Sequence, residues 1–135
     1  MNPVAFLMDT DWVVEHLHGA KPVTQRLREL EKQGLAISVI SLAELWEGVY
    51  YSRDPERSQA GLEEFLSGVF VIDLDREICK QFGRLRGRLR KEGRLIGDFD
   101  LLIGATALQH HCTLLTNNRR HFEAIEGLRI ESISG

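Results

Sequence analysis

Four places in the chain carry polar side chains that could do chemistry together: Asp9, Glu44, the pair Asp98 and Asp100, and the pair Asn117 and Asn118. Three of the four are acidic, and the set contains no Cys or His. Carboxylates gathered in one place repel one another and cannot all ionise without a compensating cation. An all-oxygen donor set suits Mg²⁺ or Mn²⁺. One or two such ions can hold a phosphodiester, sharpen a water into a nucleophile and stabilise the leaving oxygen. The chemistry this pattern points to is phosphodiester hydrolysis. Each member also has a plainer reading as a helix cap or turn residue: Asp9 before a helix, Glu44 as the capping-box partner of Ser41, Asp98 as an N-cap, Asp100 as a first-turn acid, and Asn118 in a turn.

The acids can act together only if the fold brings them to one edge. Val4–Met8 is a short apolar run, as in a buried parallel strand, and Asp9-Thr10-Asp11 follows it directly. A helix from Trp12 to His18, capped by Asp11 or Thr10, comes next. Val23–Gln33 is amphipathic and stops at Gly34, and Leu35–Val39 reads as a second strand. Ser41 then caps a helix over Leu42–Tyr51. Asp54-Pro55 opens another helix to about Leu66, and Val69–Ile72 is a third strand. Asp75 caps a long helix to about Lys91 with Ile78, Phe82, Leu85 and Leu89 at helical spacing. Gly97–Leu108 is apolar almost all round, with small residues among large ones, so it reads as a central buried helix. Cys112–Thr116 is a fourth strand, Arg119–Ile125 a short helix, and Leu128–Ile133 an edge strand.

Strands alternating with helices predict one α/β domain over residues 1–135, a three-layer α/β/α fold whose mostly parallel sheet of four to five strands has helices on both faces. In such a sheet the strand-to-helix junctions fall on one edge, where sites form.

Composition narrows the classes further. The chain has 135 residues with 43% hydrophobic and 27% charged content, ordinary for a globular protein and unlike a disordered one. No apolar run approaches the roughly 20 residues needed to span a bilayer. The start, Met1-Asn2-Pro3-Val4, lacks the basic region of a signal peptide. Cys79 and Cys112 are isolated and read as reduced, buried thiols. A cytoplasmic location with no membrane partner follows as the expectation.

Net charge is −3, but it is unevenly spread: Arg76–Leu95 holds eight basic and two acidic residues, a net +6, so the rest of the chain carries −9. A basic helix on an acidic body can attract a polyanion, or it can simply be a solvated face. Arg119-Arg120-His121, just beyond the last candidate site residues, adds weight to phosphate contact. Candidate RNA-binding residues are Arg84, Arg88, Lys91, Arg119 and Arg120. Trp46, Tyr50 and Tyr51 fit packing or a dimer face.

Four segments in order, Phe6–Asp11, Ile40–Leu45, Ile96–Leu108 and Leu114–Phe122, resemble the PIN-domain family, and within it the VapC-type toxins of prokaryotic toxin–antitoxin pairs. The resemblance covers nearly the whole chain. It implies a compact α/β/α fold and a Mg²⁺-dependent (or Mn²⁺-dependent) endoribonuclease acting on an RNA substrate. Position by position, Asp9, Glu44 and Asp100 match the acidic metal-site residues, and Asn118 matches a fourth position that is Asp or Asn. Asp98 falls at a more variable position and is a further candidate ligand. The resemblance also implies a homodimer and a small cognate VapB-like antitoxin that blocks the acidic pocket. On this reading Asp9 and Asp100 hold the metal, Glu44 orients or deprotonates the attacking water, and Asn118 positions that water or a ligand. Two other readings carry different chemistry. Asp9-Thr10-Asp11 after a first strand also resembles the opening of a haloacid-dehalogenase-like phosphatase, and a degenerate PIN fold could bind RNA or protein without cutting.

Overall fold

A computed structural model of the chain describes residues 4–133; the sequence reading of Met1–Pro3 lies outside them. Five strands, β1 (Phe6–Met8), β2 (Leu35–Ser38), β3 (Phe70–Ile72), β4 (Thr113–Leu115) and β5 (Ile130–Glu131), form one sheet in the order β3-β2-β1-β4-β5. Every pairing is parallel, with Phe6 opposite Leu35 and Thr113, Ala36 opposite Phe70, and Leu114 opposite Ile130. Seven helices accompany them: α1 (Thr10–Leu17), α2 (Lys21–Leu30), α3 (Val39–Tyr50), α4 (Pro55–Leu66), α5 (Arg76–Lys91), α6 (Asp98–Gln109) and α7 (Arg119–Phe122).

The pleat explains the three layers. Successive strand residues face opposite ways, so Leu7, Ala36 and Leu114 face one core while Met8, Ile37 and Leu115 face the other. The first core is closed by α5, α6 and α7 through Ile78, Leu85, Leu101, Ile103 and Phe122. The second is closed by α1 to α4 through Trp12, Val23, Leu27, Leu45 and Leu62. Strands buried on both sides need apolar residues at every position, which is what Val4–Met8 and Leu35–Ile37 supply. The small residues of α6 have a packing reason: a Cβ on Gly104 would meet Ile125 Cδ1 at 2.5 Å, so the chain after α7 can lie close against the helix.

The expected architecture holds, and several boundaries and caps move. The cap of α3 is Ser38, not Ser41: Ser38 Oγ accepts from Ile40 N at 3.0 Å and Ser41 N at 3.3 Å. The chain turns into the helix at the last strand residue, so the Ser41–Glu44 spacing already lies inside it. Asp9, rather than Thr10 or Asp11, caps α1, its Oδ1 accepting from Thr10 N at 2.8 Å. Gly97 takes the cap position of α6, and Asp98 is drawn sideways into an ion pair with Arg86 of α5. Cys79 is exposed because it lies off the α5 stripe that buries Ile78, Leu85 and Leu89; Cys112 is buried as expected. The capping roles of Asp54 and Asp75 are as read, accepting from Arg57 N and Ile78 N. Because Ser38 is fully buried and serves two amides, Ser38→Ala should cost about 1–2 kcal/mol. Urea unfolding should show a lower midpoint at unchanged slope.

Candidate active site

The sheet order places the site. β2 and β3 lie to one side of β1, and β4 and β5 to the other. The chain therefore reverses its winding between β1 and β4, and in open parallel sheets ligands bind in the crevice beyond the strand ends at such a point. Asp9 directly follows β1 and Thr116 directly follows β4. Thr116 Oγ1 donates to Asp9 Oδ2 at 2.7 Å across this crevice, and both residues are buried.

Asp9 is thus held at both oxygens, by Thr10 N and by Thr116 Oγ1. Burial pushes its carboxyl up from 3.8 to about 6; the bonds from Thr116 and Thr10 pull the other way, and the negative charges of Asp11 and Asp100 add to the rise. Asp11 and Asp100 are close enough for their charges to be felt at Asp9. Asp100 sits in the first turn of α6, and its Oδ2 lies 2.7 Å from His121 Nδ1 of α7, where the ring N–H donates to the carboxylate.

Glu44 reaches the rim from α3. Thr10 Oγ1 donates to Glu44 Oε1 at 2.6 Å, and the Ser41 hydroxyl lies 3.0 Å from the same Thr10 oxygen. One residue therefore links the first two acids: Thr10 offers its amide to Asp9 and its hydroxyl to Glu44. Asn118 stands beside the crevice, its amide donating to Thr116 Oγ1 at 3.0 Å.

Other expected members are turned elsewhere. Asp98 faces Arg86, away from the other acids. Asp11 clamps backbone: its Oδ1 accepts from Trp12 N at 2.8 Å and its Oδ2 from Asn117 N at 2.9 Å. Asn117 accepts from Trp12 Nε1 and Ile133 N and donates to Glu15, so it ties β4 to α1 and to the chain after β5. Thr10, Thr116 and His121 had not been placed against the acids by the sequence reading. Their signal was adjacency: Thr10 follows Asp9, Thr116 ends a strand just before Asn118, and His121 sits in the turn after it.

The basic candidates divide as well. Arg84 bonds Gln81, and Arg88 pairs with Glu126 at 2.8 Å. Arg119 reaches Ser132 and the Ile130 carbonyl. Lys91 and Arg120 make no ion pair among the described residues.

As the side chains stand, no three Asp, Glu, His or Cys among the described residues close into a cage for an ion. The donor chemistry nonetheless suits a hard cation. Mg²⁺ keeps several waters and takes one or two carboxylates directly, so a closed all-protein cage is not what it needs.

Known proteins resemble this chain over nearly its whole length. Residues 6–128 match the PIN domain, and the chain belongs to the PIN-domain family. Its full-length relatives are VapC proteins. The tRNA(fMet)-specific endonuclease VapC of Shigella flexneri is 36% identical over 130 residues, 96% of this chain and 98% of that protein. Ribonuclease VapC2 of Haemophilus influenzae is 34% identical over 128 residues, 94% of this chain and 96% of that protein. Among solved structures, VapBC2 from Rickettsia felis bound to a promoter DNA fragment superposes with a TM-score of 0.90 at 34% identity, covering 97% of this chain and all of the matched one.

Proposed function

We propose that the chain is a divalent-metal-dependent endoribonuclease, the toxin of a VapBC-type pair, hydrolysing RNA phosphodiester bonds at the rim built from Asp9, Glu44 and Asp100. The observation that carries this reading is the buried Asp9 carboxyl, pushed up to about 6 with the charges of Asp11 and Asp100 against it. Such a group favours a cation beside it. Membership in a family whose relatives bear ribonuclease names favours RNA cleavage over the phosphatase alternative.

Asp9 and Asp100 would hold Mg²⁺ or Mn²⁺, directly or through water, with Glu44 at its edge. When bound, the ion would offset the carboxylate charge, draw a phosphate oxygen to the rim and lower the pKa of a water. The chain's own groups do the rest. Thr10 N and Thr116 Oγ1 fix the Asp9 carboxylate, and His121 fixes Asp100. Thr10 holds Glu44 by Oε1, leaving Oε2 to orient the attacking water and take its proton. The water oxygen bonds to phosphorus as the bond to the leaving nucleotide oxygen breaks. Asn118 positions the water, and Lys91, Arg119 and Arg120 attract the RNA backbone.

The same reading supplies an antitoxin site. A groove of about 750 Å³ between α1, α3 and α4 is lined by Val14, Leu17, Glu44, Leu45, Val49 and Leu62. Gly48 and Gly61 border it, and a Cβ at either would meet nothing within 4 Å. Glycine inside a helix costs about 1 kcal/mol against alanine, and no packing among the described residues offsets it at these two positions. Close approach of a partner's backbone would. An apolar antitoxin segment lying there would cover Glu44. A homodimer belongs to the same proposal, with Tyr50, Tyr51 and Phe70 offering exposed aromatic surface.

Titration with Mg²⁺ or Mn²⁺ by calorimetry, beside cleavage of tRNA(fMet) and other RNAs with and without EDTA, tests the nuclease. A saturable isotherm and cleavage that EDTA stops and excess Mg²⁺ restores are expected. A protein that binds RNA but neither binds metal nor cuts would be the non-catalytic module, and release of phosphate from small phosphate esters would point to the phosphatase.

A further inference from the structure

The first turn of α6 holds a residue the proposed chemistry does not use. Successive helical residues point about 100° apart. Asp98 turns to Arg86 on α5, Asp100 turns to His121 on α7, and Phe99 lies between them. Its ring is not part of the core, which α6 builds from Leu101, Ile103, Ala105 and Ala107, and Phe99 is 55% exposed. An exposed phenylalanine forgoes roughly 1–2 kcal/mol of burial, and here it does so one residue from a candidate catalytic acid.

Basic residues belong to both of the helices that meet this turn, α5 and α7. Arg86 of α5 meets Asp98, and Arg90 and Lys91 lie in the next turn of α5, toward the loop that leads into α6. Neither of those two makes an ion pair among the described residues. On α7, Arg120 adjoins His121, the partner of Asp100. An aromatic face between cations is how proteins hold unpaired nucleotides: the ring stacks a base and the cations take the flanking phosphates.

We infer that Phe99 is a stacking platform for an unpaired RNA base beside the bond to be cut. The inference rests on the nuclease reading above. A base inside a duplex hides its faces against its neighbours, so only an unstacked nucleotide can use the ring.

The test uses the full chain in EDTA, which holds any metal-dependent cleavage off, and an RNA oligonucleotide with one 2-aminopurine. Phe99→Ala should weaken binding of the single strand roughly 5- to 150-fold and abolish the fluorescence change on stacking. Phe99→Tyr and Phe99→Trp should keep both. Leu95→Ala, altering an open apolar side chain on the preceding loop that is 93% exposed, should leave RNA affinity unchanged. Thermal melts confirm that the variants fold, and sedimentation follows their mass. Equal RNA affinity for Phe99→Ala and the parent would overturn the inference while leaving the nuclease reading intact if the parent cleaves. A fall in mass for both Phe99→Ala and Leu95→Ala, with RNA affinity unchanged, would make the patch a contact between copies. A parent that neither binds nor cuts RNA would remove both readings.

Discussion

Asp9→Asn should be inactive on RNA and, at neutral pH, more stable than the parent protein. Loss of a carboxylate from the proposed metal rim would remove several kcal/mol of transition-state stabilisation, a fall of at least about 1,000-fold in cleavage rate. The gain in stability follows from linkage. The folded protein raises the Asp9 carboxyl from 3.8 to about 6, so between those values the folded state binds more protons than the unfolded one. Stability contributed by this group is complete below about pH 4 and is lost as the pH rises through about 6. At neutral pH the ionised carboxylate costs the fold about 3 kcal/mol, from roughly two pKa units at about 1.4 kcal/mol each. An asparagine has no such dependence, and it fits the site: its oxygen can accept from Thr10 N, and its amide can donate to Thr116 Oγ1 if that hydroxyl turns. Melting curves from pH 4 to 8 should diverge in favour of the variant as pH rises. Added Mg²⁺ should narrow the gap by stabilising only the parent. Asp100→Asn should lose cleavage equally while shifting stability less, since its side chain is more open to water. Undiminished cleavage by either variant would refute the assignment of the acids.

The second large effect separates two neighbouring asparagines. Asn117→Ala should destabilise the protein by about 2–4 kcal/mol, whereas Asn118→Ala should leave stability within about 0.5 kcal/mol and lower only cleavage. Asn117 Oδ1 is the acceptor for Trp12 Nε1 at 3.1 Å and for Ile133 N at 3.0 Å. Trp12 is fully buried, so removing its acceptor leaves an indole N–H without water or protein to bond, a cost of about 1–3 kcal/mol before the bond to Ile133 is counted. Asn118 caps α7 in position but makes no side-chain capping bond; only its backbone is engaged, the amide donating to Thr116 Oγ1 and the carbonyl accepting from His121 N. Chemical denaturation of the two variants, with RNA cleavage alongside, reads both halves of this expectation. Equal destabilisation by the two substitutions would mean that the tie between β4 and α1 does not depend on Asn117.

Why the architecture was legible is visible in its strands. Val4–Met8 and Leu35–Ile37 are apolar at every position because both faces of a parallel sheet are covered, and that pattern needs no knowledge of the neighbours. The all-round apolarity of Leu101–Leu108 carried the same information for α6. Caps were harder. Ser38 and Ser41 both precede helical sequence, and only the register of the turn decides which hydroxyl meets the free amides. Asp98 looked like a cap until Arg86, twelve positions earlier on a packed helix, offered it a charge. The acids of the rim were legible as residue types, while the groups that hold them were not. A threonine after an aspartate has no distinctive periodicity, and only folding reveals that Thr10 serves Asp9 and Glu44 together. Cys79 was misplaced because a single cysteine carries no periodicity of its own; its exposure follows from the neighbouring Ile78, Leu85 and Leu89.

The crevice between β1 and β4 also sets a timetable. Asp9 is made well before the hydroxyl that steadies it, which comes 107 residues later. A nascent polypeptide with β1, β2 and β3 already in place still lacks the strand beside Asp9, and α7 with its histidine follows later still. The proposed site is therefore completed only after Thr116 and His121 have been made, and a chain truncated before Thr113 would carry the acids without the partners that aim them.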